Sequence, residues 1–125
     1  MVERRDGGCR CGAVRYQVSG EPTVVGLCHC TDCRRESGAA YLYYADWPTE
    51  RFTTTGAVAS FDGRSYCPQC GAPVFHLNAH RAEIVLGSLD EAPTGLVPQV
   101  EGWVKRREPW LSPVPGARQF TEDVD

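Results

Sequence analysis

The sequence predicts a single domain built mainly of β-strands. A chain of 125 residues is long enough for one hydrophobic core and too short for two ordinary domains. Its 13 Gly and 9 Pro divide it into short apolar runs, which is typical of many turns and short strands. Almost no stretch has a long helical periodicity. We place the domain at residues 1–111. Residues 112–125, with two prolines, a glycine and a final acidic stretch, are expected to form a loosely packed C-terminal arm.

Strands are predicted where apolar residues alternate with polar ones or where β-branched and aromatic residues cluster. The first is residues 13–18, in which Val14, Tyr16 and Val18 alternate with polar residues. A single helical turn is predicted over residues 31–36, capped by Thr31 or Asp32, and breaks are predicted at 46–48 and 62–63. The other predicted strands are residues 24–27, 39–44, 51–55, 58–61, 73–77, 83–86 and 100–105.

Charge and hydropathy argue against nucleic acid and membrane as partners. The formal net charge is -3, and the one short basic run, Lys105 to Arg107, is explained by a solvated surface. No apolar stretch approaches the roughly 20 residues that a membrane helix needs. The N-terminal residues also lack the apolar region of a secretory signal, so we expect a cytoplasmic protein.

Seven cysteines in a chain of this size predict either a disulfide framework or metal ligation. The number is odd, and no export signal accompanies it. The cysteines also fall in C-x-C and C-x-x-C pairs, which cannot close ordinary disulfides within a pair without strain. These observations favour thiolates that hold metal.

One predicted metal site combines two such pairs from distant parts of the chain. Cys9 and Cys11 form the first pair, Cys67 and Cys70 the second, and a glycine follows each pair. A residue without Cβ can turn the backbone tightly there and let amide hydrogens face the sulfurs. Four thiolates complete the tetrahedral shell of zinc, so we interpret this group as a structural site.

A second group offers three thiols within six residues: Cys28, Cys30 and Cys33. Three protein ligands and an open fourth position are the arrangement of a catalytic zinc, which makes this loop the candidate active site. Two alternatives remain open. His29 could complete the shell as a fourth ligand, or the three cysteines could act as redox-active thiols near the cations Arg34 and Arg35.

Three motifs together are similar to those of a known family. The motifs are GCRCGAVRY at residues 8–16, CHCTDCRR at 28–35 and CPQCG at 67–71, with GSLD at 87–90 and PW at 109–110 as later landmarks. In order and spacing the chain resembles the glutathione-dependent formaldehyde-activating enzymes and centromere protein V, over about residues 7–110.

The resemblance implies a zinc-stabilised β-tent fold. It implies that the first two cysteine pairs hold a structural zinc and that the remaining three cysteines hold a catalytic one. It further implies a reaction, classed with the carbon-sulfur lyases, in which glutathione and formaldehyde combine to S-hydroxymethylglutathione. The partners would be a small thiol and an aldehyde. In one segment the chain departs from the family pattern, since Glu101 replaces a histidine of many relatives and Arg106 a frequent serine.

Glutathione carries two carboxylates, so a site that binds it should supply cations. The candidates are Arg34, Arg35 and Arg64, each of which is also explained as a solvated surface charge. His76 and His80 are expected to be structural or exposed rather than ligands. Four aromatic residues are candidates for lining a pocket, although core packing explains them as well: Tyr41, Tyr43, Tyr44 and Trp47.

Two further functions are compatible with the sequence. A non-catalytic zinc module could bind a protein partner, since fold does not fix function. A thiol or metal sensor could release Cys28, Cys30 and Cys33 when its metal is lost.

Overall fold

A computed structural model describes the fold of residues 3–125. Within these residues the fold is mainly β, as the sequence predicts, with one short helix, α1 (Thr31–Ser37), and three 3₁₀ turns at Thr49–Arg51, Leu86–Ser88 and Val104–Arg106. The strands are β1 (Arg4–Gly8), β2 (Arg15–Ser19), β3 (Val24–Cys28), β4 (Leu42–Pro48), β5 (Phe52–Thr55), β6 (Ala59–Phe61), β7 (Arg64–Tyr66), β8 (Pro73–Leu77), β9 (Arg81–Val85), β10 (Val100–Gly102) and β11 (Arg118–Gln119).

The described chain divides into two compact units. Unit 1 contains the residues up to Thr23 together with Ala45–Gly95, and unit 2 contains Val24–Tyr44 and Leu96–Asp125. In unit 1, β1, β2 and β5 form an antiparallel sheet in the order β1-β2-β5, and β4, β9, β8, β7 and β6 follow one another in a second sheet. In unit 2 the strand order is β11-β10-β3, with β10 parallel to both β3 and β11.

Aromatic side chains fill the core of unit 1. The rings of Tyr16, Phe52 and Phe75 lie with centroids 5.0 to 6.1 Å apart. The Tyr16 hydroxyl is satisfied by the Ser88 hydroxyl at 2.6 Å, and the buried Trp47 indole donates to the Gly20 carbonyl oxygen at 2.9 Å. Each buried ring therefore contributes apolar area while its polar atom keeps a hydrogen-bond partner.

The core of unit 2 forms around β3 and β10. Val25, Leu27, Leu42 and Val100 are buried there. The parallel register pairs Leu27 with Glu101 and Cys28 with Gly102, so the start of the cysteine loop lies beside the end of β10.

Several local predictions differ from the structure. Residues 46–48 were predicted to break a strand, yet they form the end of β4, with Trp47 fully buried. The prediction missed β1, because its sequence RRDGG has no apolar alternation. Strand β11 and a series of hydrogen bonds to β10 and the segment after it lie within residues 112–125. The domain boundary after residue 111 stays a prediction. No helix among residues 3–125 is long and apolar enough to cross a membrane.

Candidate metal centres

The first candidate centre lies in unit 1 and is assembled by two similar turns. Cys9 and Cys11 lie between β1 and β2, and Cys67 and Cys70 lie between β7 and β8. In each turn the first cysteine donates its backbone N–H to the carbonyl of the fifth residue onward, Val14 or Ala72, at 3.0 Å. We call these residues the four-cysteine cluster: Cys9, Cys11, Cys67 and Cys70.

A glycine closes each turn in the left-handed region of backbone space. Gly12 has a φ of 85° and Gly71 a φ of 79°, values that favour glycine over residues with a Cβ. Each glycine N–H donates to the carbonyl of the first cysteine of its pair, at 3.3 Å and 2.8 Å respectively. The glycine that follows each pair in the sequence is thus required by the shape of the turn.

The sulfurs of this cluster lie close to one another and accept hydrogen bonds from backbone amides. Cys67 Sγ accepts from the amides of Gln69 at 3.3 Å and Cys70 at 3.4 Å. The Sγ atoms of Cys9 and Cys11 are 3.6 Å apart, and those of Cys11 and Cys67 are 3.7 Å apart. A tetrahedron of sulfurs about 2.3 Å from a zinc ion has edges of about 3.8 Å, so these residues fit that ion.

The electrostatics of the cluster favour a cation. Burial favours the neutral thiol of Cys9, but donation from the Val14 amide and from neighbouring thiols lowers its pKa to about 6. For Cys11 a hydrogen bond from the Ala13 amide lowers the pKa, but burial and the adjacent sulfurs outweigh it and raise that pKa to about 11. One sulfur takes the negative charge and opposes ionisation of the next, which a bound divalent ion would reverse.

The second candidate centre lies in unit 2, where β3 runs into α1. The Sγ atoms of Cys28, Cys30 and Cys33 lie within 4.8 Å of one another, close enough for one ion to contact all three after small side-chain adjustments. We call these residues the three-cysteine cluster. Cys30 itself is the N-cap of α1, where Thr31 or Asp32 was predicted, and its sulfur accepts from the Cys33 amide at 3.3 Å.

Two members of the three-cysteine cluster are partly open to solvent. Cys28 and Cys30 have intermediate exposure, whereas Cys33 is buried. Burial is the main cause that raises the pKa of Cys30, and the Cys33 amide opposes it only in part. None of the seven cysteines forms a disulfide, so the disulfide framework weighed against metal ligation has no support in the structure.

His29 lies between two cysteines of this cluster but does not join it. Its ring nitrogens are not within 4.8 Å of all three sulfurs. Instead, His29 Nε2 lies 2.8 Å from Glu101 Oε1, and each side chain is only 1% exposed. Burial alone would raise the pKa of Glu101, but hydrogen bonds from Val114, Gln119 and His29 outweigh it and lower that pKa. The sequence marks Glu101 as a departure from the family pattern but does not indicate its pairing with His29.

The three arginines proposed as substrate-binding residues have different surroundings. Arg34 lies in α1 and is held by Glu108 at 2.6 Å and by the Arg106 carbonyl at 3.1 Å. Arg35 is exposed and has no ion pair with any of residues 3–125. Arg64 lies in unit 1, opposite His76 in the pairing of β7 with β8. Their part in substrate binding stays a prediction.

The aromatic and histidine candidates also lie in different surroundings. Tyr41 packs its ring edge against His29, with centroids 5.8 Å apart, and the Tyr43 hydroxyl donates to the Leu96 carbonyl at 2.6 Å. The Tyr44 hydroxyl occupies the space over Gly26, and Trp47 belongs to the core of unit 1. His76 Nδ1 pairs with Glu83 at 2.7 Å, and His80 is exposed; neither belongs to a metal-ligating group of the described residues.

Fold and site together define a class: a small, mainly β protein with two cysteine clusters that could each hold a metal ion. The sequence matches the family described as glutathione-dependent formaldehyde-activating enzyme over residues 4–106. The chain therefore belongs to that family. No curated protein matches the sequence. A crystal structure of a Rhodobacter sphaeroides protein shares the fold, with a TM-score of 0.56 and 21% identity over 74% of this chain and 97% of that one.

Proposed function

We propose that this protein is a zinc-dependent enzyme of the carbon-sulfur lyase type that acts on a small thiol. The family to which the chain belongs supports glutathione and formaldehyde as the reactants. The observation that carries the proposal is the three-cysteine cluster, whose three sulfurs converge without a fourth His, Cys, Asp or Glu among residues 3–125. In this proposal Cys28, Cys30 and Cys33 hold the catalytic zinc and the four-cysteine cluster holds a structural one. We further propose that it acts in the cytoplasm.

The proposed reaction adds the thiol to the aldehyde. A carbon-sulfur bond forms between glutathione and formaldehyde, the carbonyl π bond breaks, and the thiol proton ends on the new hydroxyl oxygen, so nothing is oxidised or reduced. A zinc ion at the cluster would supply the positive charge that favours thiolate over thiol. The chain's own part is to keep Cys28 and Cys30 partly accessible and to hold Cys30 with the Cys33 amide.

Calorimetric titration of glutathione into the zinc-loaded protein tests the proposal. We expect saturable binding that Cys30→Ser removes, because the variant loses one of three ligands. Cys70→Ser is unsuitable as a control, since it alters the other cluster. His80→Ala changes an exposed residue outside both clusters and should bind as the unaltered protein does. Absence of binding in the unaltered, zinc-loaded protein would contradict the enzymatic function and leave a zinc-binding role.

A further inference from the structure

The buried pair of His29 and Glu101 has no role in the function proposed so far. His29 stands between Cys28 and Cys30, and its backbone N–H donates to the Gly102 carbonyl at 3.1 Å. The side chains of His29 and Glu101 are each 1% exposed and meet at 2.8 Å. Burying two ionisable groups is costly unless they are paired and hydrogen-bonded, so this contact needs an explanation.

Glu101 is fixed from the C-terminal segment as well as from His29. Its Oε2 accepts from the Val114 amide at 2.7 Å and from the Gln119 side chain at 3.0 Å. Arg107 approaches its Oε1 at 3.7 Å. With these donors around it, the carboxylate cannot turn to follow His29 if the imidazole moves. Residues that the sequence predicted as a loose arm therefore anchor the acceptor of His29.

The pair also orients the imidazole ring. An ionised carboxylate can only accept hydrogen bonds, so His29 donates through Nε2. The Nδ1 atom is buried and has no hydrogen-bond partner among the described residues. A histidine with one nitrogen on a carboxylate and the other nitrogen bare is the form that usually binds zinc. Nevertheless, no ring nitrogen of His29 lies within 4.8 Å of all three sulfurs.

We propose that Glu101 is a positioning residue that holds His29 out of the coordination shell of the three-cysteine cluster and so leaves its fourth position to a thiol. The inference rests on the proposed function for the identity of that thiol. Without the acceptor, the His29 ring is free to turn, and an imidazole nitrogen beside three thiolates completes a stable four-ligand shell. Glu101 thereby determines whether the fourth coordination position of the three-cysteine cluster is open or is filled by His29.

Nitrogen-15 NMR of the imidazole rings, with and without zinc and with no thiol present, tests this directly. In the unaltered protein we expect His29 to keep its proton on Nε2 and an unligated Nδ1 after zinc is added. In Glu101→Ala a ring nitrogen of His29 should move to the position of a metal-bound nitrogen. The matched control is Glu83→Ala, which removes the acceptor of the other His–Glu pair and should leave the His29 signals unchanged.

Thiol affinity supplies a second readout. Glu101→Ala should weaken glutathione binding about 10- to 100-fold, the range typical of residues that orient metal ligands. If Glu101→Ala does not fold, Glu101→Asp retains a buried acceptor for Val114 and Gln119 while withdrawing it from His29, and the same NMR shift is expected.

Two results would overturn the inference: metal-bound His29 in the unaltered protein, or an unligated His29 in the folded variants after zinc is added. A failure of the proposed function looks different. In that case no protein binds glutathione, while the His29 signals still respond to loss of Glu101 as described.

Discussion

The two cysteine clusters use the same ligand type and differ in how completely the chain surrounds the metal position. In the four-cysteine cluster, two turns from distant parts of unit 1 each contribute two sulfurs and close with a glycine at positive φ. In the three-cysteine cluster, all three sulfurs come from one short segment, the end of β3 and the first turn of α1. A cluster built from two turns ties the chain together, whereas a cluster built from one loop leaves room for a ligand from outside.

The largest expected effect is a difference between substitutions in the two clusters: one should reduce stability and the other only the metal content. Cys67→Ser removes a fully buried sulfur of the four-cysteine cluster, the proposed structural zinc site, so it should lower the free energy of unfolding by more than about 4 kcal/mol. Cys30→Ser should leave a folded protein with one metal ion fewer. Circular dichroism and zinc analysis of both variants measure this. Equal loss of folding in both would remove the distinction between the clusters.

Chelation should release the two proposed metal ions separately. A three-ligand site with two partly exposed cysteines holds its ion less completely than a four-ligand site, so we expect it to empty first. Zinc released to EDTA, followed with a colorimetric indicator, should rise in two stages. The far-ultraviolet circular dichroism should change only in the second. A single stage that coincides with unfolding would contradict the account.

The cysteine turns and the strand pattern around them could be predicted from sequence because their causes are local. A C-x-x-C pair followed by glycine requires one backbone turn, and Val14, Tyr16 and Val18 alternate along one strand. The pair of His29 and Glu101 could not be predicted, because the parallel register of β3 and β10 brings together residues far apart in sequence. Strand β1 was missed because its sequence, RRDGG, has no apolar alternation. Gly7 is required there because a Cβ would lie 2.3 Å from the Tyr16 hydroxyl.

A pH-dependent prediction for unit 1 sharpens the comparison, because it changes stability without touching either cluster. Burial and the nearby Glu83 carboxylate raise the pKa of Asp46 to about 6, against the opposing effect of Arg81 and His76. Between about pH 4 and 6 the folded protein binds a proton that the unfolded chain has lost. The free energy of unfolding therefore falls as pH rises through this window. Above it, the buried Asp46 carboxylate is ionised and its full destabilising effect is present.

Asp46→Asn removes that cost and should raise the free energy of unfolding at pH 8 by about 2 kcal/mol. The gain should shrink as the pH is lowered towards 5. Urea unfolding at several pH values measures it, with Asp62→Asn at an exposed turn as the control. Zinc content should stay unchanged; a variant that loses metal would mean that the stability of unit 1 and the four-cysteine cluster cannot be perturbed independently.

The smallest expected effect concerns the arginines of α1. Arg35 is exposed without an ion pair among residues 3–125, so Arg35→Ala should weaken glutathione binding by about 2- to 5-fold through loss of a surface charge. Binding of 2-mercaptoethanol, which has no carboxylate, should not change. Arg34→Ala should instead reduce stability, because Arg34 joins α1 to Glu108. An equal effect of Arg35→Ala on both thiols would exclude carboxylate recognition.

X-ray absorption at the zinc edge tests the difference between the clusters most directly. With a zinc ion in each cluster, as proposed, the seven cysteine sulfurs give an average of 3.5 sulfur neighbours per ion. Saturating glutathione should raise this average to about four, because a thiol sulfur occupies the open position of the three-cysteine cluster. An average that stays unchanged when glutathione is added would contradict an open, thiol-binding metal centre.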